Sequence, residues 1–152
     1  MGFLSIYDKT ERISLNDLDG DLDGDYWIDI KPNISTRGEE AAYNVLMQAP
    51  RWKSGEVEAR AQFPEYRREI AFWTVTGWNL TDAEGREIPL PTLEEAQRNN
   101  RAATARREAL LLLPGYALNA IVDHVNAVNE RRSGQEKVTF RSTSDGGPET
   151  GA

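Results

Sequence analysis

Apolar residues along the chain follow two periods. Tyr26, Ile28 and Ile30 alternate with Asp25, Trp27, Asp29 and Lys31. That period of two predicts a short strand with one apolar face, closed by Pro32. Val57, Ala59, Ala61 and Phe63 alternate with charged and polar neighbours, which predicts a second strand over 55–63. Paired, the two would form a small antiparallel element that needs a helix packed on it. Residues 1–15 show no sustained period.

Helical spacing dominates the rest. Thr36 and Glu39 have the spacing of a capping box, and Ala42, Leu46 and Ala49 continue one face, so a helix is expected over 37–48, stopped by Pro50. Two patterns compete over 65–79. Tyr66, Ile70, Trp73 and Gly77 lie at helical spacing, whereas Ile70, Phe72, Thr74, Thr76 and Trp78 alternate as in a strand. The Arg67-Arg68-Glu69 start assigns the segment to helix. Thr92 and Glu95 form a second capping box that opens a helix running to about Leu112. Pro114-Gly115 breaks it. A last helix over 115–131 carries Tyr116, Ala117, Ala120, Ile121, His124, Val125 and Val128 on one face, the clearest amphipathic pattern present. Arg131 and Arg132 suit its C-terminal end, and Gly134 follows. The pattern predicts a mainly α (α+β) fold: a single domain over 1–132 with a small N-terminal antiparallel β element. Residues 1–24 are expected to be partly flexible, and the polar, glycine-rich 133–152 a disordered tail.

Charge and composition narrow the chemistry. Of 152 residues, 18 are Lys or Arg and 25 are Asp or Glu, a formal net charge of −7. That balance disfavours nucleic acid and anionic membrane surfaces as partners. With no cysteine, disulfides, thiolate zinc sites and cysteine nucleophiles are excluded. The longest apolar run, 109–113, is too short to span a bilayer, and the early Asp8 argues against a targeting segment at the start.

The acidic run 16–25 contains Asp19, Asp21 and Asp23 with Gly24. Ligands at positions one, three and five with glycine at six begin a calcium-binding EF-hand loop, but the twelfth position falls on Ile30. A solvated acidic loop is therefore preferred, with these three as the candidate metal ligands. His124, the only histidine, sits on an apolar helix face and reads as a packed residue rather than a base. Glu39-Glu40 and Glu94-Glu95 lie in first helical turns, where the helix dipole accounts for them. Arg98, Arg101, Arg106 and Arg107 are interleaved with Glu94, Glu95 and Glu108 and read as a solvated face. Trp27 falls on the polar phase of its strand, so that strand is expected to be covered on both faces or to dock a partner. No set of residues fills a catalytic site, and neither enzyme activity nor a cofactor is expected.

The stretch Trp73-Thr74-Val75-Thr76-Gly77-Trp78-Asn79-Leu80-Thr81-Asp82-Ala83-Glu84-Gly85-Arg86-Glu87-Ile88-Pro89-Leu90-Pro91-Thr92 resembles small tail proteins of long-tailed bacteriophages. The likeness lies in a Trp-Asn pair, Thr-Asp, a nearby Gly, then Leu-Pro and a helix start. The strand at 26–31 followed by Thr36-Arg37-Gly38-Glu39 is similar to the N-terminal part of the same family, the tail assembly chaperones. The acidic Asp-Gly run before the strand departs from it. The resemblance, over about 25–130, implies a non-enzymatic, mainly helical, self-associating protein that acts in the host cytoplasm. Such a protein binds the tape measure protein so that tail tube protein polymerises around it. Apolar strips on the helices at 92–131 would supply the contact, with Trp73, Trp78, Ile121 and Val125 as candidate partner-binding residues. The alternatives are a virion structural protein, as a minor tail or connector component, and a calcium-dependent interaction module.

Overall fold

The computed structural model describes residues 8–47 and 55–145, with side chains at 8–47 and 64–131. Strands β1 (Glu11–Ser14) and β2 (Trp27–Ile30) are followed by helices α1 (Thr36–Met47) and α2 (Gly55–Thr74). Strand β3 (Val75–Trp78) and helices α3 (Leu93–Arg98), α4 (Asn100–Leu110) and α5 (Gly115–Asp145) complete the chain. The mainly helical fold with a small antiparallel sheet is the one the pattern predicts. Residues 48–54, with Pro50 and Trp52, lie outside the described residues, as do 146–152.

The sheet has the order β1-β2-β3, antiparallel throughout. Ile13 pairs with Ile28, and Ile28 with Trp78, so one face is apolar and buried. Val75 and Trp78 are three residues apart and would face opposite sides of a regular strand. A register shift opposite Asp29 and Ile30 leaves Thr76 as the extra, exposed residue, and both apolar neighbours turn inward. On the outer face Arg12 lies across Trp27, its guanidinium 3.7 Å from the ring centroid, and bonds Asp29 at 2.8 and 3.1 Å. Trp27 is thus covered within the chain.

Three sequence expectations change. Residues 55–63 are helical and belong to α2, so the partners of β2 are β1 and β3. Glu, Ala, Arg and Gln are strong helix formers, and alternating alanines are a weak strand signal. The ambiguous 65–79 is both things in turn: helix to Thr74, strand from Val75. The helix expected from 92 to 112 breaks at Asn99, whose extended backbone (φ −144°, ψ 120°) lets its side chain cap α4 through the Arg101 N–H at 2.8 Å. Helix α5 is drawn from Gly115 to Asp145. The Thr92–Glu95 capping box forms in full, while α1 is capped one residue earlier than expected, by Ser35 Oγ accepting from Gly38 N–H at 3.1 Å.

Helix α2 is central, packing on α1, α4 and α5. Ile70, Ala71 and Phe72 meet Leu110, Ile121 and Val125 in a core shared with the apolar sheet face. Gly38 sets the approach of α1, since a Cβ there would lie 2.8 Å from Ile34 Cγ1 and 2.9 Å from Trp73 Cβ.

The C-terminal end of α2 is held from within. Ile70 O accepts from Thr74 Oγ1 at 2.8 Å, and Thr74 O from Lys31 N–H at 2.8 Å. Phe72 O has no helical partner left once the chain turns into β3, and the fully buried Arg106 supplies one, donating from Nε at 3.0 Å and Nη2 at 2.6 Å. The same guanidinium donates to Val75 O at 2.6 Å and Pro91 O at 2.9 Å. One side chain thereby ties the end of α2, the start of β3 and the approach to α3 onto α4. Burial, with a smaller contribution from Arg107, lowers its pKa to about 10, which leaves it charged at neutral pH.

Two substitutions check this framework by urea denaturation. Arg106→Lys should cost about 2–4 kcal/mol, because a single ammonium cannot reach three carbonyls set around a planar fork. A midpoint equal to that of the parent would contradict the role. Gly38→Ala should cost about 1–3 kcal/mol through overpacking, although alanine is the better helix former. A gain in stability would show that α1 does not rest on Trp73.

Candidate partner-binding site

The residues that carry the family resemblance form a turn closed by its own side chains. Trp78 Nε1 donates to Ile88 O at 2.8 Å. Asn79 accepts from Trp27 N–H at 2.8 Å and donates to Asp25 O at 2.7 Å, which fixes the turn against β2. Asp82 Oδ1 accepts from the N–H groups of Glu84 and Arg86, both at 2.9 Å, and Gly85 takes the left-handed backbone (φ +79°) that closes the loop. Thr81 bridges to Glu87. These side chains shape the fold around β3.

The acidic loop is organised by Asn16, which donates to Gly24 O and accepts from Tyr26 N–H. Asp19 accepts from Asp21 N–H at 3.0 Å, and the Tyr116 hydroxyl has its pKa raised first by burial and then by the charge of Asp19. Among the described residues no group of carboxylates and histidine is placed to hold a metal ion, so Asp19, Asp21 and Asp23 do not converge. His124 Nε2 lies 3.4 Å from Glu11 Oε1, a link between α5 and β1. The hollow around it is lined by Glu11, Ala127, Val128, Glu130 and Arg131, with no nucleophile among them.

The four candidate partner-binding residues do not form a surface strip. Ile121 is fully buried, and Val125 and Trp78 are core residues. The face of α5 that carries Ile121 and Val125 is the face α2 covers. Trp73 is half-buried and donates from Nε1 to Glu69 Oε2 at 2.9 Å. Glu69, itself buried, also receives Arg107 Nη1 at 2.7 Å, and Arg107 stacks 4.0 Å above the Phe72 ring centroid.

Exposed apolar surface lies elsewhere. Leu110 and Leu113 point into the core, while Leu111 and Leu112, in the turn between α4 and α5, are 59% and 64% exposed. Four consecutive leucines at about 100° per residue cannot all face one side. The run 109–113 carries that signal in the sequence itself. Leu111 borders a cleft of about 280 Å³ lined by Val45, Glu65, Arg68, Glu69, Arg107 and Leu110. A second groove, of about 380 Å³, runs between α1, α2 and α5. An exposed leucine pair beside a cleft with mixed charges suits a protein partner.

No known family model, curated protein or solved structure matches the chain.

The turn's dependence on Asn79 is measurable. Asn79→Ala strands the Trp27 N–H and the Asp25 carbonyl, and should cost about 1–3 kcal/mol in thermal or urea unfolding. An unchanged stability would mean that the turn closes without it.

Proposed function

We propose that this chain is a non-enzymatic assembly chaperone for the tail of a long-tailed bacteriophage, engaging the tape measure protein in the host cytoplasm. The observation that carries the reading is the solvent-facing Leu111-Leu112 corner beside its cleft. The similarity of residues 73–92 to that family supplies the biological setting. Exposed leucines at a helix corner can cover an apolar stripe of a long partner helix, while the charged cleft wall keeps the contact reversible. The net charge of −7 helps to keep the complex dispersed. No helix among the described residues is long and apolar enough to cross a membrane.

Co-expression with the tape measure protein tests the proposal. The wild-type chain should move the tape measure into the soluble fraction, and the double variant Leu111→Asp/Leu112→Asp should not, while keeping its own fold by circular dichroism. A tape measure equally insoluble with and without the wild-type chain would overturn the function. A double variant as effective as wild type would overturn the assigned surface.

A further inference from the structure

The groove between α1, α2 and α5 differs from the leucine corner in its charge. Its apolar wall is the exposed Tyr43 with the half-buried Ile34 and Leu46, over the buried Ala42, Ile70 and Val125. On one rim stand the exposed Glu39 and Glu40, and on the other Asn126 and Asn129. Both charged lining residues are carboxylates, and neither forms an ion pair among the described residues. In the cleft beside Leu111, two acids face two arginines, and Glu69 is paired with Arg107. The field of Glu39 reaches across the groove, where it adds to burial in raising the Tyr66 hydroxyl pKa. The dipole of α1 explains why acids are tolerated at its start. It does not explain why the apolar Tyr43 stands exposed between them and a pair of side-chain amides.

We propose that this groove is a second docking site, and that its occupant is a basic amphipathic segment of another protein. Apolar side chains of the segment would seat against the exposed Tyr43 and the half-buried Ile34 and Leu46, and its flanking Lys or Arg would meet Glu39 and Glu40. The asparagine amides can donate to and accept from the segment's polar groups. Selection against acidic segments follows from the described lining, whose charged residues are the two carboxylates alone. This inference goes beyond the leucine corner and does not depend on it.

The test uses the full chain and a synthetic helical peptide of about 16 residues, with leucines at helical spacing and lysines flanking them. Two controls accompany it: the same residues in scrambled order, and a version with glutamate for lysine. Binding is followed by calorimetry and by amide shifts in nuclear magnetic resonance. The patterned basic peptide should bind, shift the amides of Tyr43, Asn126 and Asn129, and weaken about tenfold in the Glu39→Gln/Glu40→Gln variant. The glutamate peptide should not bind. The Leu111→Asp/Leu112→Asp variant should bind the basic peptide as wild type does, so a failure of the chaperone reading leaves this result standing. Equal binding of the scrambled peptide would reduce the effect to general attraction by a chain of net charge −7 and overturn the proposal. So would unchanged binding by the glutamine variant, loss of binding in the leucine variant, or no binding of the patterned peptide at millimolar concentration.

Discussion

Arg106 carries a charge where no side-chain surface reaches solvent, and its partners are the carbonyl oxygens of Phe72, Val75 and Pro91. Moving a cation out of water is costly, as its lowered pKa records. The return is that three carbonyls in segments with no common ladder are satisfied at once. The end of a helix carries partial negative charge, so Phe72 O is a favourable acceptor for a cation. Helix α2 can therefore stop at Thr74 and hand the chain directly to β3. That handover places Val75 and Trp78 against Ile28 and Ile30, and it closes the apolar face of the sheet. The neighbouring Arg107 faces outward to Glu69 and stacks on Phe72. Adjacent arginines on one helix thus fix the two sides of the same junction.

What could be read from the sequence was local. The β2 alternation, the Thr92–Glu95 box and the apolar face of α5 each rest on neighbouring residues, and each is present. What could not be read depends on residues far apart. The change from helix to strand within 65–79 is decided by Arg106, more than thirty residues downstream of Phe72. In sequence, Arg106 looks like one more member of a charged face. The 55–63 alternation misleads for a different reason: its small residues fit either period, and helix propensity settles it. The site was the least legible part. Amphipathic strength marked Ile121 and Val125, and a strong apolar face on a helix of a small domain is first the face that builds the core.

The proposed docking surfaces are what the core leaves over. Trp27 is shielded by Arg12, Trp73 is held by Glu69, and Trp78 is buried. The described tryptophans are thus committed to the fold. Apolar surface remains at Leu111 and Leu112, and unneutralised charge at Glu39 and Glu40. The two lie on different flanks of α2, one beside α4 and one beside α1 and α5. The acidic balance of the whole chain therefore matters less than its distribution: paired with arginine beside the leucine corner, unpaired beside the groove.

The central claim is that the Arg106 guanidinium is locked among backbone carbonyls and organises the junction of α2, β3 and α4. Nitrogen-15 resonance of the arginine side chains addresses it directly. The account predicts a slowly exchanging Arg106 Nε–H and separate resonances for its two terminal nitrogens, because bonds to Phe72, Val75 and Pro91 block rotation of the guanidinium. Rapid exchange with water and a single averaged terminal resonance, as for the exposed Arg98, would contradict it.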